Sequence, residues 1–323
     1  ETGHEGAVMA LLDTGADVNQ GGAGDHTTPL LMATIHGHFD LAMRLLERGA
    51  DPNLRNVSGD QPLFATLETR WAPRTFYPAQ HHWMDQETTH MELVEALLRA
   101  GADPNTRLEQ RIWYSELNRS DLGVNFIGAT PFFRAAHALD LEAMKLLVAH
   151  GADPNIPTKN PDDWDRGGGN RSQFTRENDQ SGLPPVEQGG PGAYPIHAVS
   201  GVGHGQAAAG NSHRHLPDGW MPALRYLVEE LGADVNLRDH GGYAPLHNAA
   251  ARADNEMILY LVEKGADVTV VSRRGHTTAD MANSPFITLR PIPETIALLE
   301  SLGSANNNVC LACGDAERVG GSR

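Results

Sequence analysis

The sequence is short of several things, and each shortage closes a possibility. Thiols are nearly missing: among 323 residues only Cys310 and Cys313 carry one, both close to the C-terminal end. No disulfide framework can hold the body of the chain together, and cysteine usage leaves the compartment open. No stretch approaches the roughly 20 consecutive apolar residues that a membrane-spanning helix requires, so no membrane span is expected and the composition is that of a soluble protein. Lysine occurs three times, at Lys145, Lys159 and Lys264, against 22 arginines. That bias fits a GC-rich, bacterial-like genome and carries no function. Acidic residues outnumber basic ones by 41 to 25, a formal net charge of -16. Phosphate backbones are bound by clustered Lys and Arg, so nucleic acid is not an expected partner. Nucleophile elbow, phosphate loop and H-E-x-x-H motif are all missing, which gives no ground for expecting an enzyme or a cofactor.

What the chain has instead is a recurring signature. Gly15-Ala16-Asp17-Val18-Asn19 returns as Gly49-Ala50-Asp51-Pro52-Asn53, Gly101-Ala102-Asp103-Pro104-Asn105, Gly151-Ala152-Asp153-Pro154-Asn155 and Gly232-Ala233-Asp234-Val235-Asn236. Gly265-Ala266-Asp267-Val268-Thr269 departs at its last position, and Gly303-Ser304-Ala305 is a degenerate seventh copy. The glycines are spaced by 34, 52, 50, 81, 33 and 38 residues. Apolar runs with helical periodicity precede the signature, among them Leu41 to Leu46 and Met257 to Val262. Glycine ends such a helix in the left-handed conformation at no steric cost. Asp and Asn suit the turn beyond, because their side chains bond nearby backbone. A second half-signature opens the next helix: Thr28-Pro29-Leu30-Leu31, Thr130-Pro131-Phe132-Phe133 and Ala244-Pro245-Leu246-His247, with weaker copies at Gln61-Pro62 and Tyr194-Pro195-Ile196-His197. Thr caps a helix N-terminus, and Pro fits a first turn whose N–H needs no partner.

These motifs resemble the Thr-Pro-Leu-His and Gly-Ala-Asp-x-Asn patterns of the ankyrin-repeat family, across nearly the whole chain outside its insertions. The resemblance implies an all-α repeat solenoid over residues 1–308, of about seven repeats with the first incomplete. Each repeat is expected to be two antiparallel helices and a hairpin loop. It implies binding of a protein partner through hairpin tips and inner helices, in place of catalysis. One short helix pair cannot cover its own apolar face, so neighbours must do so. The chain begins at Glu1, partway through a repeat, which reads as a processed or truncated N-terminus and leaves localisation unknown. Oligomeric state cannot be read.

Seven plain repeats need about 230 residues. The surplus falls in insertions at 70–88, 106–127, 156–192 and 202–219, with a short one at 284–292. All five tryptophans lie in these segments or at their edges: Trp71, Trp83, Trp113, Trp164 and Trp220, joined by Tyr77 and Tyr114. Aromatics either pin a loop back onto its scaffold or meet a partner directly. Trp71, Trp83, Trp113, Tyr114, Trp164 and Trp220 are therefore the candidate partner-binding residues, with Trp113, Tyr114 and Trp164 leading. The acidic balance predicts a neutral or basic partner surface and salt-sensitive association.

Two other clusters deserve weighing. His197, His204, His213 and His215 crowd a Gly/Ala-rich stretch. His204, His213 and His215 are candidate metal ligands on which a metal-binding or catalytic site would rest, although the spacing matches no zinc pattern. His197 and His247 fill the fourth place of the helix-opening motif, where a structural bond to backbone is expected. Cys310 and Cys313, in the 309–323 tail, read as a terminal disulfide or free thiols; Gly314 stands where haem attachment would need His.

Overall fold

A computed structural model describes residues 4–72, 82–114, 124–160, 179–203, 214–283 and 291–308. The regular elements among the described residues are helices, beside one isolated β-bridge between Lys159 and Pro191. The helices are α1 (Glu5–Asp13), α2 (Pro29–Ile35), α3 (Phe39–Glu47), α4 (Pro62–Trp71), α5 (His90–Arg99), α6 (Pro131–His137), α7 (Leu141–Ala149), α8 (Pro195–Ser200), α9 (Trp220–Arg225), α10 (Pro245–Ala251), α11 (Asn255–Glu263), α12 (Thr278–Ala282) and α13 (Pro293–Ser301). A single turn of 3₁₀ helix, His82–Asp85, precedes α5. Two compact units hold them, one of residues 1–120, 126–156 and 209–216, the other of 121–125, 157–208 and 217–323. The first unit carries α1 to α7, and the second α8 to α13. Within each, consecutive helices pair, and the first helices of neighbouring repeats stack, as α2 on α4, α4 on α6, α8 on α10 and α10 on α12.

Local chemistry explains where the helices begin and end. Thr28 Oγ1 accepts from Leu31 N at 3.3 Å, and Thr130 Oγ1 accepts from Phe133 N at 3.1 Å. At Tyr194 and Ala244, where the threonine is lost, a histidine three residues on takes its place. His197 Nδ1 accepts from Tyr194 N, and His247 Nδ1 from Ala244 N, each at 3.1 Å. With Nδ1 accepting, the ring proton sits on Nε2, which faces backbone carbonyls: Leu237 and Tyr243 for His197, His276 for His247. Both rings are fully buried. At the other end, Gly49, Gly101, Gly151 and Gly265 take φ between 86° and 92° with open space where a Cβ would stand. Their requirement is conformational and not steric.

The Asp and Asn of the signature do different jobs. Each Asp holds its own turn: Asp51, Asp103 and Asp153 accept from the backbone N–H two residues on at 2.8 to 2.9 Å. Asn53, Asn105 and Asn236 reach the next repeat. Asn53 donates to Gly101 O and accepts from Asp103 N, and Asn105 does the same with Gly151 O and Asp153 N. In the second unit Asn236 joins Gly265 O and Asp267 N. At Thr269 the hydroxyl turns back to Asp267, and the ladder stops where the sequence leaves the pattern. Replacing Asn105 by Ala removes two bonds of about 1 kcal/mol each. The urea midpoint of the first unit should fall accordingly, whereas Asn105→Asp, which keeps the acceptor, should cost about half as much.

One repeat carries an extra residue. Tyr226 lies six residues before its glycine, Gly232, while Tyr260 lies five before Gly265. The surplus is absorbed by a π-helical turn, Tyr226–Glu230, that continues α9 and is closed by Leu231 N donating to Tyr226 O at 3.1 Å. The apolar face of the helix keeps its register, with Ala223, Leu224 and Leu227 buried.

Candidate functional site: the covered inner helices of the first unit

Part of the 106–127 insertion returns to the repeats that precede it. Glu109 N and Gln110 N both donate to Ser58 O, at 2.8 and 3.2 Å, and Arg107 Nε donates to Gly128 O at 2.9 Å. The meeting point is Gly59, at φ 75°, where a Cβ would stand 2.8 Å from Glu109 N. Glycine is thus required there by both conformation and space. Beyond it, Tyr114 packs against a cluster of Leu31, Ile35 and Ala65, and its hydroxyl donates to Asp60 Oδ2 at 2.8 Å. Phe126 places its ring edge-on to Phe133 and His137, with centroids 6.1 and 5.2 Å apart. Under this cover every residue of α6 is buried, and every residue of α4 except Arg70.

Charge is enclosed with the apolar groups. Glu68 on α4 and Arg134 on α6 form an ion pair through Glu68 Oε2 and Arg134 Nε, with both side chains 1% exposed. Glu68 Oε1 and Arg134 Nη1 have no protein partner. The Arg134 guanidinium lies 5.7 Å from the Phe126 ring centroid. Burial pushes the nearby Asp60 carboxyl up to about 7, against the Tyr114 hydrogen bond and with help from the negative charge of Glu68. Burial likewise raises the Tyr114 hydroxyl well above the ordinary tyrosine value.

The candidate aromatics separate by exposure. Trp71 is interior, 5% exposed, and donates from Nε1 to Asp140 Oδ2 at 3.0 Å. It ends α4, so the helix continues into the segment read as an insertion from residue 70. Burial works to raise the Asp140 carboxyl, but bonds from His90, Ala143 N and Trp71 outweigh it and hold the group below the usual carboxylate range. Trp83 is half-buried, with the Arg70 guanidinium 4.5 Å and the Arg214 guanidinium 5.7 Å from its ring centroid. In the second unit the Arg252 guanidinium lies 3.2 Å from the centroid of half-buried Trp220. Trp113 differs: it is 51% exposed, yet held between the edge of Tyr114 at 5.7 Å and the His36 ring at 6.4 Å. Trp164, Tyr77, His204, His213, Cys310 and Cys313 lie outside the described residues. His215 has Nδ1 3.1 Å from its neighbour's carbonyl, Leu216 O. Among the described residues no group of three metal-ligating side chains forms, and no helix is long and apolar enough to cross a membrane.

Sequence reasoning missed the hairpin tips. The residue three before each helix-opening position is left-handed at His26, Gly59, Gly128, Gly242 and Gly275, with φ from 64° to 82°. The signal was present as a glycine three residues before Pro62, Pro131 and Pro245. On the outer side of the first unit, a groove of about 910 Å³ lies between α3 and α5. Its lining includes Glu47, Asp85, Glu87, Glu92 and Glu95, with Arg44 and Arg99 among few opposite charges.

Paired short helices, a left-handed hairpin tip and an Asn ladder from repeat to repeat define a helical repeat protein, all-α and solenoid in class. Comparison with known proteins names the kind. The model of the ankyrin repeat matches residues 25–57 and 127–159, and that of ankyrin repeats in many copies matches residues 226–282. The chain carries ankyrin repeats over these three stretches. It is 31% identical over 155 residues, 47% of its length, to the Ankyrin repeat and SAM domain-containing protein 6 of Danio rerio, of which that match spans 20%. It is 25% identical over 256 residues, 79% of its length, to the human Ankyrin repeat and SOCS box protein 16, spanning 47% of that protein. The chain thus matches less than half of either relative. In fold it is similar to the human ASB11 ankyrin repeat domain, with a TM-score of 0.53 at 19% identity over 92% of this chain and 93% of that one.

Proposed function

We propose that this chain is a binding scaffold whose protein partner meets the outward face of the insertions, with Trp113 at the centre of the contact in the first unit. The observation carrying this reading is a large aromatic that is half exposed and already ordered by Tyr114 and His36. Exposed Trp held in one geometry gives contact area at little entropic cost, which is what the energetic centres of interfaces share. Tyr114 and Trp71 act from beneath as anchors, and Trp83 and Trp220 offer only the edges their arginines leave open. The net charge of -16 and the acidic groove between α3 and α5 support a partner with a neutral or basic surface.

A pull-down from the source cells with mass spectrometry supplies the partner, and titration then tests the site. Trp113→Ala should weaken binding by more than about 1 kcal/mol, roughly fivefold or more in Kd, with the melting temperature little changed because the ring is exposed. Raising salt should weaken binding further. Unchanged affinity in a folded Trp113→Ala chain removes this site from consideration.

A further inference from the structure

A second stretch of insertion lies on the second unit, and its contacts are those of a bound peptide. Residues 179–184, Asp-Gln-Ser-Gly-Leu-Pro, form no helix or strand, and Gln180, Gly182 and Pro184 remain exposed. The surface beneath belongs to the hairpins 239–243 and 272–276. Arg273, buried, is its centre. Its Nε donates to His240 O at 2.8 Å, which ties the guanidinium to the neighbouring hairpin. The other donors serve the segment: Nη1 meets the Asp179 carboxylate and, at 3.4 Å, Leu183 O, while Nη2 donates to Pro184 O at 2.6 Å. Gln180 N donates in return to Arg273 O at 3.2 Å. Ser181 presets the carboxylate, donating to Asp179 Oδ1 from N at 2.9 Å and from Oγ at 2.6 Å.

The register follows the repeats. A Cβ on Gly275 would stand 2.5 Å from Gln180 Oε1, and one on Gly242 3.5 Å from Leu183 Cδ1. Gly242 and Gly275 are 33 residues apart, one repeat, and both are left-handed. Gln180 lies at the Gly275 tip and Leu183 at the Gly242 tip, so the segment steps back one repeat in three residues, turning through left-handed Gly182 at φ 67° on the way. The cradle is tied together without the segment: Arg238 Nε donates to Gly242 O at 2.7 Å, its Nη2 bonds Val271 O, and the Tyr243 hydroxyl lies 3.1 Å from His276 Nδ1.

We propose that the hairpin edge at Gly242, Arg273 and Gly275 is a docking site for a turned segment of a protein partner with the pattern Asp-x-x-x-Leu-Pro, and that residues 179–184 occupy it as an internal surrogate. The guanidinium fork reads one carboxylate and two main-chain carbonyls together, a task to which a lysine is unsuited. Leu183 lies beside the Gly242 tip. A partner segment with the same groups replaces each of these bonds one for one. It competes against a tethered copy whose effective concentration is on the order of millimolar, so binding in trans is suppressed until the internal copy is weakened. This site is separate from the Trp113 surface, and neither reading depends on the other.

The test uses the full chain and a labelled peptide, Asp-Gln-Ser-Gly-Leu-Pro-Pro. Against a chain carrying Asp179→Ala and Leu183→Ala, the peptide should bind at least about tenfold tighter than against the unsubstituted chain, since the tethered competitor is disabled. The gain should vanish when the peptide's Asp is replaced by Asn, and when Arg273→Lys is added to the chain. No binding to the doubly substituted chain, or binding indifferent to the peptide's Asp, overturns the proposal. Hydrogen exchange on the unsubstituted chain needs no variant. Millimolar peptide should accelerate exchange at the Gln180 amide and leave the α11 amides unchanged. Gln180 exchange unmoved by the peptide makes the segment a fixed part of the fold and overturns the proposal independently.

Discussion

Arg134→Ala is expected to be the most damaging single substitution in the first unit, lowering its stability by about 3–5 kcal/mol. The reason is the carboxylate left behind. Glu68 is 1% exposed and accepts a hydrogen bond from Arg134 Nε. Without the guanidinium it must stay charged in a dry layer or take up a proton. Glu68→Ala should be comparably harmful, because a buried cation is stranded instead. The pair itself is a different matter, since desolvating two charges offsets most of their attraction. Replacing both, as in Glu68→Leu with Arg134→Met, should recover most of the loss. Urea unfolding of the two single variants and the double variant measures this coupling. A double variant as unstable as the sum of the singles would show that the damage comes from lost packing between α4 and α6 and not from an orphaned charge.

The second large effect is a pH response of opposite sign in the two units. Burial, assisted by the positive charge of Arg238, holds His247 down to about 3, against 6.5 for a free imidazole. Burial also lowers His197. Between pH 3 and 6.5 the unfolded chain binds a proton that folded His247 refuses. Stability of the second unit is therefore fully present above pH 6.5 and is lost as pH falls, by up to about 1.4 kcal/mol per pH unit for each such histidine. Asp60 works the other way. Its folded carboxyl sits at about 7 and its ordinary value is 3.8. Between these values the folded state carries the extra proton, so its contribution falls as pH rises toward 7. Carboxyls held low, such as Asp25 and Asp140, act only below about pH 4. From pH 7 to 5, hydrogen exchange should show α10 and α11 opening more readily while α4 and α6 open less readily. Asp60→Asn keeps an acceptor for Tyr114 and should abolish the first unit's trend without touching the second. Parallel trends in both units would contradict the assignment of these two groups.

Much of the repeat was legible in the sequence because its signals are short-range. Gly49 ends a helix through its own φ, Asp51 bonds a backbone two residues away, and Thr28 caps a helix three residues on. The Asn ladder was not legible: residue type alone predicts that Asn53 and Asn105 bond nearby backbone, and they bond Gly101 O and Gly151 O of the next repeat. The single extra residue between Tyr226 and Gly232 was visible as a spacing, but its resolution as a π turn was not, because only burial of Leu224 and Leu227 makes that turn preferable to a slipped helix face. Glu68 and Arg134 gave no signal. Isolated charges on short helices ordinarily face water, and what encloses these two comes from Phe126 and from a partner 66 positions away.

The candidate surface divides along the same line. That the aromatics gather in the insertions is a property of the sequence alone. Which of them anchor and which stay available was decided by tertiary structure. Trp71 finds Asp140 across 69 residues, Tyr114 finds Asp60 across 54, and Asp179 finds Arg273 across 94. Those meetings depend on how inserted segments return to repeats formed elsewhere in the chain. Helix ends and caps rest on bonds set by neighbouring residue types, so the one-dimensional pattern determined them, whereas the Asn ladder crosses to the next repeat, as from Asn53 to Gly101, 48 residues on. Burial of a loop side chain rests on surfaces that exist only after the repeats have stacked, and only the folded chain could decide it.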